Sequence, residues 1–120
     1  MTADRRLAEI AGEQRTPVWV YDASTIRRQI ERVRAFDVVR FAQKAASNVH
    51  LLRLMREQKV LVDAVSAGEV ARALAAGYLV GEPEEQVVLT ADILDREALA
   101  LAVRLGLAVN AGSLDMLGQL

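Results

Sequence analysis

The sequence predicts an α/β fold built from repeated strand–helix units, and three observations carry that prediction. Apolar, β-branched runs begin near residues 38, 61, 87 and 107, at intervals of 20 to 26 residues, and each interval holds one helical pattern. Aromatic residues make up only 4% of the chain while Ala, Leu and Val abound, which suits helices packed on a parallel sheet. The length, 120 residues, is about one domain and enough to bury a core. Four such units with right-handed crossovers are compatible with half of an eight-stranded barrel or with most of a small open sheet, and spacing alone favours neither.

The elements follow in order. "VWVY" (18–21), just after Pro17, reads as a short strand. "DASTIRRQIERVRAF" follows as an amphipathic helix, with Ile26, Ile30 and Val33 recurring at helical spacing among arginines. The run "VVRFAQ" (38–43) is a strand, and "NVHLLRLMREQ" is a helix whose buried face is Leu51, Leu52, Leu54 and Met55. "VLVDAV" (60–65) is the next strand; in the helix "SAGEVARALAAG", Ser66 and Glu69 have capping-box spacing and Gly77 stands where a closing glycine belongs. After the polar loop "GEPEE" come the strand "QVVLTA" (86–91) and a helix capped by Asp95 and ended by Gly106. "LAVNAG" (107–112) is the fourth strand of the repeat, and "SLDMLGQL" opens one more helix. Residues 1–34 therefore read as an amino-terminal strand and helix, and residues 35–120 as the repeat. A half-barrel would expose two strand edges, so the sequence reads as one part of a larger sheet.

Composition removes several classes of function. Fifteen basic residues against sixteen acidic ones give a net charge of −1, so no basic face for nucleic acid is evident. With no cysteine there are no disulfides and no thiolate sites, which is consistent with a reducing cytoplasm. One histidine and no clustered carboxylates speak against a metal centre. "MTADRRLAEIAGEQR" is too charged for a signal peptide, and no apolar run approaches the roughly 18 residues of a membrane helix. A soluble, cytoplasmic chain is the expectation.

Chemistry in parallel α/β folds gathers at the carboxyl ends of strands. The polar residues there are Lys44, then Asp63 and Ser66, then Thr90 and Asp92, then Asn110 and Ser113. Ser66, Asp92 or Asp95, and Ser113 are explained by helix capping, and Asn110 by a turn. His50 reads as a surface or packing residue. Asp63 is harder to dismiss, because it interrupts an apolar run where a lone carboxylate is costly to bury. Lys44 stands just before a helix N-terminus, whose positive dipole end disfavours an ammonium group. Taken alone, a solvated lysine is the simpler reading. A neutral amine is what Schiff-base chemistry needs, and Asp63 one strand over offers a compensating charge.

The stretches "FAQKAASNVHLLRLMREQ" and "VDAVSAGEVARALAAGY" resemble the start of the barrel in the diaminopimelate decarboxylase family of fold type III pyridoxal phosphate enzymes. The likeness continues through "VVLTADILDREAL" and "VNAGSLDMLGQL", and upstream through "TPVWVYDASTIRRQI", covering nearly all of residues 16–120. It implies the first half of a (β/α)8 barrel that binds pyridoxal 5'-phosphate. It implies that residues 18–21 belong with a carboxy-terminal β domain whose own sequence has no counterpart in this chain. Lys44 matches the lysine that holds the cofactor covalently, Asp63 an aspartate lining the cofactor site, and Glu69 a second acidic residue nearby. The implied reaction is decarboxylation of meso-2,6-diaminopimelate to L-lysine and CO2 in lysine biosynthesis, by a homodimer. Other fold type III enzymes, such as ornithine or arginine decarboxylases or racemases, share the weaker motifs, and a truncated non-catalytic relative is a further alternative. The family's stacking histidine, glycine-rich phosphate cup, pyridine-nitrogen glutamate and β domain have no counterpart here, so the 120-residue chain alone is expected to be inactive. Where many members have glycine before the second strand, this chain has Lys59, which in a left-handed conformation costs on the order of 1 kcal/mol.

Overall fold

The structure, a computed structural model, describes residues 3–14, 17–81 and 83–119. The chain divides into two compact units, Met1–Glu31 and Arg32–Leu120.

The first unit holds helices α1 (Ala3–Glu13) and α2 (Ala23–Glu31). Helix α1 has no counterpart among the elements the sequence predicts. It is held at its surface by Glu9, which pairs with Arg5 and Arg6 at 3.5 Å each. Helix α2 ends at Glu31, five residues short of the predicted end at residue 36, and turns cover most of the remainder. Residues 18–21 form no strand: a strand is defined by its ladder, and an apolar β-branched run without a partner edge stays irregular. Trp19 is 91% exposed there.

The second unit is the predicted repeat. Strands β1 (Arg40–Ala42), β2 (Leu61–Ala64), β3 (Val87–Leu89) and β4 (Ala108–Val109) form one parallel sheet in the order β1-β2-β3-β4. Sequential order is the arrangement of a barrel wall, whereas a doubly wound sheet reverses order at a switch point. Helices α3 (Val49–Glu57), α4 (Ala67–Ala75), α5 (Arg96–Leu105) and α6 (Leu114–Leu117) alternate with the strands. Each starts where the sequence places a cap: Asn48 accepts from the His50 amide (2.8 Å), Ser66 from Glu69 (3.3 Å), Asp95 from Ala98 (2.7 Å) and Ser113 from Met116 (3.4 Å).

Three of these helices also end alike. After α3, Lys59 takes a left-handed φ of 60°, its amide donates to Arg56 and that of Val60 to Met55. Gly77 (φ 93°) and Tyr78 repeat this after α4, and Gly106 (φ 59°) and Leu107 after α5. This is the Schellman arrangement, and the residue that follows each left-handed one is buried.

The core lies between the sheet and its helices. Val62, Ala64, Val87 and Leu89 point into it and meet Leu52, Val70, Ala73 and Ala102. A fully buried Leu or Val contributes about 1.5–3 kcal/mol. The opposite face carries the in-register row Ala42, Asp63, Val88 and Ala108, all half-buried. Among the described residues no helix is long and apolar enough to cross a membrane.

Candidate cofactor site

The strand ends that carry the polar residues lie together, because all four strands are parallel and every following helix starts from the same end. β1 runs directly into a 3-10 turn, Gln43–Ala45, closed by the Ala46 amide donating to Gln43 at 2.9 Å. Lys44 rides on that turn, four residues before the Asn48 cap, and its side chain is exposed.

Asp63 is the register partner of Ala42, so it stands one strand from Lys44 and two residues lower. Its Oδ1 is fully buried and has no hydrogen-bond partner among the described residues. Asp63 and Lys44 form no ion pair among the described residues. An orphaned buried carboxylate oxygen costs about 1–3 kcal/mol. It is the kind of acceptor that a ligand's N–H or O–H, or an added amine, would satisfy. Lysine at the rim with this acceptor on the adjacent strand therefore fits a carbonyl-bearing cofactor.

Glu69 is 8% exposed, and its Oε2 accepts from the Val65 amide at 2.8 Å. The reciprocal bond of a capping box is thus displaced by one residue, onto the amide before the cap, and ties the β2 carboxyl end to α4. Thr90 is half-buried, and Asp92 and Asn110 are exposed; none of the three side chains makes a hydrogen bond among the described residues. His50 is exposed, as expected of a surface residue. Among the described residues no cluster of three potential metal ligands occurs.

Two polar residues escape the sequence reading. Gln43 is fully buried beside Lys44; Ser47 Oγ donates to its Oε1 at 3.1 Å, while its Nε2 has no partner among the described residues. Arg40 stands on the same face as Asp63. The signal that exposes Asp63, a polar residue inside an apolar strand, is equally present in "VVRFAQ". A cavity of about 380 Å³ lies at the other end of the strands, lined by Arg56, Lys59, Leu61, Tyr78 and Gln86 among others, away from Lys44 and Asp63.

The family model described as the pyridoxal binding domain of pyridoxal-dependent decarboxylases matches residues 23–120. A diaminopimelate decarboxylase of Streptomyces coelicolor is 62% identical over 114 residues, which are 95% of this chain and 26% of that protein. The diaminopimelate decarboxylase of Escherichia coli K12 is 56% identical over the whole chain and 28% of its own length. A crystal structure of diaminopimelate decarboxylase superimposes with a TM-score of 0.91 at 56% identity, covering 96% of this chain and 27% of that one. The Helicobacter pylori enzyme complexed with L-lysine gives 0.78 at 27% identity, over 94% and 29%. The chain thus spans little more than a quarter of the length of these relatives. The sheet order, the capped helices at its carboxyl end and the family match agree: this chain belongs to the pyridoxal-dependent decarboxylases, in their pyridoxal-binding domain.

Proposed function

We propose that this chain is the lysine-bearing part of a decarboxylase that converts meso-2,6-diaminopimelate to L-lysine and CO2 in lysine biosynthesis. The observation that carries the reading is Lys44 at the end of β1 beside the unpartnered Asp63 Oδ1 on β2. The similarity to relatives bearing that enzyme name supports the substrate. Residues 35–120 act as the partial barrel, and residues 1–34 as the segment that precedes it.

Pyridoxal phosphate, when bound, supplies the sink for the electron pair released as the bond between the α-carbon and the carboxylate breaks. With the cofactor bound, Lys44 Nζ would be the amine that holds it. Asp63 Oδ1, an acceptor without a partner among the described residues, would take a hydrogen bond from a protonated nitrogen of the bound group and orient it. Loss of CO2 leaves the α-carbon in need of one proton, and Lys44 Nζ would be the group at the end of β1 to carry it. The Glu69 bond to Val65 holds the loop above β2 in place while this happens. A cytoplasmic homodimer is part of the same reading and rests on the family resemblance.

The isolated chain carries neither a phosphate-binding glycine run nor a partner for the pyridine nitrogen, so it should release no more CO2 than free cofactor does. Grafting residues 1–120 into the Escherichia coli relative, in place of its matching segment, should retain diaminopimelate decarboxylation. Lys44→Ala in that chimera should abolish it. An inactive but folded chimera, or one indifferent to Lys44→Ala, sinks the reading.

A further inference from the structure

Arg40 is the second charged residue on the face that carries Asp63, two residues before Ala42 and paired in register with Leu61. Its guanidinium does not reach a carboxylate: it forms no ion pair among the described residues. Instead Nη1 donates to the carbonyl oxygens of Val62 (3.3 Å) and Gln86 (3.5 Å), and Nη2 donates to that of Glu85 (3.0 Å). A single planar fork thus starts on β1, crosses β2 and ends at the entry to β3. The Val62 carbonyl belongs to the peptide unit whose nitrogen is that of Asp63. The Gln86 carbonyl also accepts the Val62 amide at 3.0 Å, so the fork closes over the first ladder bond between β2 and β3. A half-buried cation with carbonyl partners alone is only partly compensated for its desolvation. On the same face of the next strand, two residues beyond the register partner of Arg40, Asp63 carries the carboxylate oxygen that lacks a partner among the described residues.

We propose that Arg40 is a positioning residue: by clamping the Val62–Asp63 peptide and the base of β3, it fixes the height and direction of the Asp63 carboxylate beneath the Lys44 end of the sheet. The inference rests on the reading of Lys44 as the cofactor lysine. Lysine cannot replace this arginine, because one ammonium cannot span three carbonyls on two strands with the geometry of a fork.

The test uses the chimera with the Escherichia coli relative and has two readouts. Amide hydrogen exchange at Val62 reports the ladder bond under the fork. The pyridoxal phosphate concentration that half-saturates borohydride capture at Lys44, mapped by mass spectrometry, reports the site. Arg40→Met should speed exchange at Val62 at least tenfold relative to Thr90, whose amide bonds Ala64 at the far end of β2. It should also raise the half-saturating concentration at least fivefold, with Arg40→Lys keeping most of both changes. Arg40→Lys keeps the charge, so it decides the matter alone if Arg40→Met does not fold. Unchanged exchange and capture in either folded variant, or full recovery by lysine, overturns the proposal. If the unaltered chimera shows no capture at Lys44, the cofactor reading falls and the positioning role falls with it. Intact capture that ignores Arg40 defeats only the positioning role.

Discussion

Lys59 is the only described non-glycine residue with a positive φ, and it stands where the parallel ends of α4 and α5 use Gly77 and Gly106. Both hydrogen bonds of the motif are made, so the loop is formed rather than rearranged, and the cost falls on the lysine's own backbone. Its charge beside the α3 carboxyl end returns a few tenths of a kcal/mol through the helix dipole. Lys59→Gly should therefore raise the unfolding free energy by about 0.5–1 kcal/mol, read as a higher urea midpoint at unchanged slope. Tyr78 tests the same corner from the inside. Its hydroxyl lies 2.9 Å from the Val60 carbonyl and 3.2 Å from that of Leu52, and donates to this pair. Burial pushes its phenol well above the ordinary value of 10, and the Arg56 guanidinium opposes only part of that rise. A raised folded value means that this contribution is complete below pH 10, the ordinary value, and is lost as pH rises above it. Tyr78→Phe should cost about 1–2 kcal/mol at neutral pH and should flatten the fall in stability above pH 10 that the unaltered chain shows.

At the level of whole elements, local side-chain chemistry decides where helices begin. Asp22 caps α2: its Oδ1 accepts from the Ser24 amide (2.8 Å) and hydroxyl (2.7 Å), and its Oδ2 from the Thr25 hydroxyl (2.9 Å). These bonds, the Ser24 hydroxyl first, draw its carboxyl from 3.8 down to about 2. A lowered folded value stabilises above the ordinary one, so the first turn of α2 should be insensitive to pH above about 4 and should fray as pH falls from there towards 2. Backbone NMR shifts of Ser24 to Ile26 would follow this, and Asp22→Asn should remove the transition. Glu69 acts the same way from a buried position: Glu69→Ala leaves the Val65 amide without its partner and should cost about 1–3 kcal/mol in a urea titration. Such caps are legible in sequence because donor and acceptor lie within four residues of each other. Asn48, Ser66, Asp95 and Ser113 all cap where their residue type and spacing say they should. Residues 18–21 are not legible in that way, because alternation and β-branching describe a willingness to pair, and only a second edge makes a strand. The displaced bond of Glu69 is equally hidden: sequence gives the spacing of a capping box and leaves open which amide the carboxylate chooses.

For the molecule as a whole, the two faces of the sheet answer to different demands. The helix side is satisfied: Val62, Ala64, Val87 and Leu89 are at most 1% exposed and are matched by the helices above them. That face is legible from four apolar runs at even intervals. The other face holds Ala42, Val88 and Ala108 with Asp63 among them, and alternation in the sequence indicates which residues share it but not what the carboxylate meets. Its Oδ1 meets nothing among the described residues, so this position gives up stability that a valine would return. Such a loss persists in a fold when the group serves chemistry that the folded chain alone does not complete. Asp63→Val should accordingly raise the unfolding free energy of the chain by about 1 kcal/mol, because it removes an unpaired buried acceptor and adds a β-branched residue to a central strand. In the chimera with the Escherichia coli relative, the same substitution should lower decarboxylation severely while Lys44 remains in place. Stability and activity moving in opposite directions would identify the carboxylate as a functional group held at a structural cost. A variant that loses both would mean that Asp63 is already paired in solution and serves the fold first.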